Sequence, residues 1–144
     1  MTARRPPRFN HVAMSVPARL LDAEHRRDIL SFYGEVFGWE ELPTETVDGE
    51  KLVLRAYRND QFVFLIADDP PMRSPRLDHF GMGVDTMEEL DDMLARAKAY
   101  KERDDRVDLI DKKTDDHGGF LALTSFYVGY LLPMMVEVQH FEWR

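Results

Sequence analysis

The chain of 144 residues contains no cysteine, which excludes disulfide bridges and every thiolate metal site. It also lacks an excess of basic charge. Nineteen Lys and Arg stand against 27 Asp and Glu, a formal net charge of −8. Nonspecific nucleic-acid binding draws on cationic side chains that displace phosphate counterions, so this balance argues against a nucleic-acid partner. Arg4, Arg5 and Arg8 are too few to reverse it. Long apolar runs are missing as well. No stretch approaches the ~20 residues that cross a bilayer. The basic start MTARRPPRF is followed by no apolar segment of the kind a secretory signal needs. The expectation is a cytoplasmic protein with no membrane partner. No glycine-rich phosphate loop and no Ser-His-Asp arrangement stands out.

What the sequence does contain is a repetition. FNHVAMSV from Phe9 and LDHFGMGV from Leu77 each place His third, a small residue fifth, Met sixth and Val eighth. From His11 to His79 the offset is 68 residues, nearly half the chain. A helical pattern follows each copy. Ile29, Phe32, Tyr33, Val36 and Phe37 recur at i, i+3, i+4, i+7 and i+8, and Gly38 ends the run. In the second half, Thr86 and Glu89 form a T-x-x-E capping box ahead of Met87, Leu90, Leu94 and Ala97. KLVLRAY from Lys51 and QFVFLIA from Gln61 read as a hairpin across RND. VDLI from Val107, FLALTSFYV from Phe120 and MMVEVQHF from Met134 read as strands, with Gly118-Gly119 and Pro133 as breakers. A short strand near 39–42 completes the first half. The fold class expected is α+β, in one domain over 1–144. Two βαβββ modules at about 9–67 and 77–141 flank a linker at about 68–76, and their mixed sheets form a half-open barrel.

Alternation along the strands decides which side chains meet. Val12, Met14 and Val16 share a face that must pack on a helix, as do Phe80, Met82 and Val84. His11 and His79 then point the other way, toward the curved side, with Ala13, Ser15, Gly81 and Gly83 as small neighbours that leave room for a ligand. In MMVEVQHF, burial of Val136 and Val138 turns Glu137 to that same side. A buried carboxylate needs a partner. Two inward histidines and one glutamate form a 2-His-1-carboxylate set, which holds a divalent ion and leaves coordination positions open. Core histidines and a pairing of Glu137 with Arg55 are the simpler alternatives.

At these residues the sequence resembles the vicinal oxygen chelate superfamily, which includes glyoxalase I, bleomycin-resistance proteins, methylmalonyl-CoA epimerase and extradiol dioxygenases. The resemblance covers residues 9–141 and rests on FNHVAMSV, FYGEVFGW, LDHFGMGV and MMVEVQHF. It implies the glyoxalase/bleomycin resistance/dioxygenase fold and metal ligands at His11, His79 and Glu137. Phe64 aligns with Glu137 and fills the pocket position where glyoxalase I and the epimerase have a fourth ligand. That departure favours a site like those of the extradiol dioxygenases. The metal implied is Fe(II), with Mn(II), Zn(II), Ni(II) or Co(II) as alternatives, and the substrate is a small molecule with adjacent oxygens. His117, Tyr127 and Tyr130 are candidates for the proton-transfer residues around such a substrate. A homodimer is also implied. The alternative function is a metal-free protein that sequesters a small molecule or antibiotic, with Phe62 and Phe64 in an apolar cleft. A module acting only through partners is a third.

Other polar residues read as structural. His140 lies an odd number of residues from Glu137 and so faces away from it; His25 sits among Glu24, Arg26 and Arg27 on a helix surface. Trp39 and Trp143 suit either the core or a dimer contact.

Overall fold

A computed structural model describes residues 3–144. The first repeated segment forms β1 (His11–Val16), followed by α1 (Ala23–Phe37), β2 (Glu40–Glu41), β3 (Lys51–Arg55) and β4 (Phe62–Ala67). The second forms β5 (His79–Val84), α2 (Met87–Arg103), β6 (Asp108–His117), β7 (Leu121–Gly129) and β8 (Met135–Trp143).

Helix boundaries follow from local chemistry. The Asp22 carboxylate accepts the His25 backbone N–H at 2.8 Å and starts α1. Gly38 stops it in the left-handed region at φ 74, where a side chain would be strained. At α2 the Thr86 hydroxyl accepts from the Glu89 N–H at 3.1 Å. The Glu89 carboxylate accepts from the Asp85 N–H at 3.0 Å, one residue earlier than the reciprocal bond of a full capping box.

Each module makes a four-stranded mixed sheet, in the orders β1-β4-β3-β2 and β5-β8-β7-β6. The first strand of each pairs parallel with the last, and the other pairs are antiparallel. The registers coincide: Ala13 opposes Phe64 in the first sheet as Gly81 opposes Glu137 in the second. The strand expected from VDLI runs on to His117. A three-residue turn follows, with Gly118 at φ 65 and Gly119 at φ 79, left-handed values that glycine adopts without strain. Before β8, a γ-type turn places Leu131 at φ 60, and its closing bond runs from the Leu132 N–H to the Tyr130 carbonyl at 2.7 Å.

The helix-side faces of both sheets share one core. Phe32 of α1 lies at its centre, 4.9 Å from Tyr33, 5.1 Å from Tyr100 of α2 and 4.5 Å from Tyr130 beyond β7. The buried Tyr33 hydroxyl donates to the Tyr130 carbonyl at 2.9 Å. Burial pushes the phenols of Tyr33 and Tyr130 up. Asp104 accepts from the Tyr130 hydroxyl at 2.6 Å and from Arg106 at 2.7 Å, while Arg106 also reaches Asp28 of α1 at 3.0 Å. Hydrogen bonds from Arg106 hold the Asp104 carboxyl well below its ordinary value.

Two predictions follow from this junction. Phe32→Ala should cost about 3–5 kcal/mol, and urea unfolding should remain a single transition because both modules lose the same contacts. Asp104 has a depressed folded pKa, so its contribution is present above the unfolded carboxylate value and is lost as pH falls through the folded one. Asp104→Asn should therefore flatten the acid side of a stability-against-pH curve below about pH 4, measured by denaturant midpoints.

Candidate metal centre

His79 stands first on β5, on the face shared with Gly81 and Gly83. Its Nδ1 lies 2.8 Å from the Leu77 carbonyl. A carbonyl only accepts, so Nδ1 carries the proton and Nε2 of the neutral ring presents a lone pair. That Nε2 faces Glu137 Oε1 at 3.5 Å. Glu137 projects from β8, opposite to Val136 and Val138, and its side chain is 8% exposed. The Gln139 amide donates to the same Oε1 at 2.7 Å. Two acceptors thus face each other across 3.5 Å, an arrangement that a cation between them stabilises, either a proton on Nε2 or a metal ion.

Tyr127 completes this group from β7. It is the cross-strand partner of Glu137, and its ring meets His79 edge-on at 4.9 Å. Hydrogen bonding to the Glu137 carboxylate, then desolvation, raises its phenol above the ordinary value. No contact within 4 Å opposes a Cβ at Gly83, so the face beside His79 is open.

His11 is not part of that group. Among the described residues, no three His, Cys, Asp or Glu side chains converge in a way that could hold a metal ion. His11 lies in a separate cleft of about 380 Å³ with Leu42, Lys51, Val53, Asn59, Phe62 and Phe64. Its ring stacks on Phe62 at 4.8 Å and 8°. Its Nδ1 lies 2.7 Å from the Asn10 amide oxygen, so here too Nε2 is left bare. The two histidines are therefore prepared alike, in different sheets.

The register supports the alignment of Phe64 with Glu137 and extends it. Val53 takes the place of Tyr127, and Ile66 that of Gln139. The first module is apolar where the second is polar. Arg55 pairs with Glu40 at 2.7 Å, not with Glu137.

Two of the proton-transfer candidates are placed elsewhere. Tyr130 is buried between α1 and α2, because it lies an odd number of residues from Tyr127 and takes the opposite face. His117 ends β6, opposite Leu121. Six residues of strand separate Leu121 from Tyr127, roughly 20 Å. His140 does face away from Glu137, and its Nδ1 is buried without a partner. His25 bonds Asp22 at 2.9 Å, Trp39 is buried, and Trp143 is 66% exposed. Asn10 and Gln139 were missed by the sequence reading; for Gln139, its i+2 position on the face of Glu137 is the signal that could have found it.

No protein-family model matches the sequence, and no curated protein matches it. Solved structures do. A lactoylglutathione lyase from Agrobacterium tumefaciens aligns over 95% of this chain and 96% of its own, with a TM-score of 0.64 and 19% identity. The fosfomycin resistance protein FosX from Listeria monocytogenes aligns over 94% of each chain, with a TM-score of 0.60 and 14% identity. A glyoxalase/bleomycin resistance protein/dioxygenase family enzyme from Burkholderia phytofirmans PsJN covers 91% of this chain and 96% of its own, with a TM-score of 0.59 and 15% identity. These likenesses span nearly the whole duplicated unit, and they show that the chain has the glyoxalase/bleomycin resistance/dioxygenase fold.

Proposed function

We propose that this chain is a divalent-metal-dependent enzyme acting on a small molecule with adjacent oxygens. In this reading a homodimer builds each site from His79 and Glu137 of one copy and His11 of the other. The observation that carries it is the pair of lone-pair donors, His79 Nε2 and Glu137 Oε1, facing each other at 3.5 Å. The donor set fits a divalent ion: each imidazole has its outer nitrogen tied to an oxygen, as metal-ligating histidines do, and the carboxylate is shielded. The helix-side faces of both sheets are spent on one core within the chain. The faces bearing His11 and His79 remain for a second copy to join.

A bound divalent ion would supply Lewis acidity at substrate oxygens or, as Fe(II), a centre for oxygen chemistry. The 2-His-1-Glu set, with Phe64 in place of a fourth ligand, favours ring-cleaving chemistry over lyase or isomerase chemistry. The chain's own residues then have distinct tasks. Leu77 and Asn10 fix the ring orientations of His79 and His11. Tyr127 keeps its proton at neutral pH and presents a hydroxyl beside the carboxylate. Phe62 and Phe64 provide an apolar wall of the cleft beside His11. A second reading, a metal-free sequestering protein, is favoured by the flat stacking of His11 on Phe62 in that cleft.

Protein purified under nitrogen, without chelator or affinity tag, should carry about one divalent ion per chain by mass spectrometry, and His79→Ala should lose it while staying folded. Full retention in the variant would sink the ligand assignment. No metal in either protein after reconstitution would leave the sequestering reading. Mixing unfolded His11→Ala and Glu137→Ala chains and refolding them together tests the shared site. Half of the random dimers are mixed and each has one intact site, so loading should recover to about a quarter of wild type. No recovery in confirmed mixed dimers would overturn the shared site.

A further inference from the structure

We infer that Gln139 is a positioning residue that fixes Glu137 as a metal ligand, an inference that rests on the metal-holding reading of the site. Its Nε2 donates to Glu137 Oε1 at 2.7 Å, the same oxygen that faces His79 Nε2 at 3.5 Å. The bond joins residues i and i+2 on one strand face, so it links neighbouring side chains without crossing the sheet. An N–H donor has one role toward a carboxylate: it occupies a lone pair and sets the direction of the others.

Clearance beside the pair is also provided. Glu137 and Gln139 oppose Gly81 and Gly83 on β5. A Cβ at position 81 would meet the Gln139 amide oxygen at 3.7 Å, so the amide lies directly over the glycine.

The duplication supplies an internal comparison. Phe64 and Ile66 of β4 hold the register positions of Glu137 and Gln139. Ile66, at 43% exposure, shows that this sheet position accepts an apolar residue in contact with solvent. Packing therefore does not demand an amide at 139. The amide is present in the module that has the carboxylate and absent from the module that lacks it. Carboxylate and amide behave as one functional unit, and Gln139 acts through Glu137 without touching the ion.

The experiment is Zn(II) and Mn(II) binding to the metal-free full chain, by chelator competition, for wild type, Gln139→Met, Gln139→Asn and Glu137→Ala, beside the thermal melting of each metal-free protein. Gln139→Met keeps length and loses the donor. It should weaken binding by about 10–100-fold, with melting close to wild type. Gln139→Asn keeps the amide on a shorter arm and should recover part of the affinity. Gln139→Met affinity within twofold of wild type, while Glu137→Ala abolishes binding, would overturn the inference and leave the site reading intact. A parallel loss of affinity and metal-free stability would also overturn it, by showing a structural role. Failure of the wild type to bind either ion would overturn both.

Discussion

The aromatic junction around Phe32 is the contact on which the rest of this structure depends. Phe32 and Tyr33 of α1 reach Tyr100 of α2 and Tyr130 beyond β7, and the Tyr33 hydroxyl closes on the Tyr130 carbonyl. Aromatic side chains bury large areas and favour the edge-on and offset geometries found here. By fusing the two modules through their helix sides, the junction determines which faces are left. The sheet surfaces bearing His11 and His79 have no partner in the core, and the ligand-type residues on them do not gather in one place within the chain.

One scaffold is used in two chemically different ways. The registers of the two sheets coincide rung by rung, yet Val53, Phe64 and Ile66 of the first stand where Tyr127, Glu137 and Gln139 stand in the second. The first face sets Phe62 and Phe64 beside a stacked histidine in a cleft that Glu45, Lys51 and Asn59 also line. The second gathers a histidine, a carboxylate, a phenol and an amide within hydrogen-bonding or van der Waals reach. A buried carboxylate is costly unless its lone pairs are occupied, and the Gln139 amide serves that need. Neither face alone has the full donor set.

The sequence by itself determined the elements and the facing of their side chains. Period-two alternation in FNHVAMSV, LDHFGMGV and MMVEVQHF assigned His11, His79 and Glu137 to the faces away from the helices, because burying Met14, Val136 and Val138 leaves no other choice. Periodicity and caps located both helices, and alignment of the modules put Phe64 opposite Glu137, as the strand registers do. Tyr130, a candidate for the site from its residue type, is placed in the core by the structure.

Only the tertiary structure decided what lies next to what. Strand patterns do not say how two sheets are arranged, so the separation of His11 from His79 and Glu137 was not readable from a motif. The orientation of each imidazole depends on an acceptor supplied by Leu77 or Asn10, a matter of backbone path and rotamer. His117 lay beyond reach of the site because Gly118 and Gly119 close a tight turn and β6 runs its full length before it. Alternation is a local property of the chain, fixed by backbone geometry. Convergence of distant side chains depends on how whole sheets pack, and the shared aromatic core set that here.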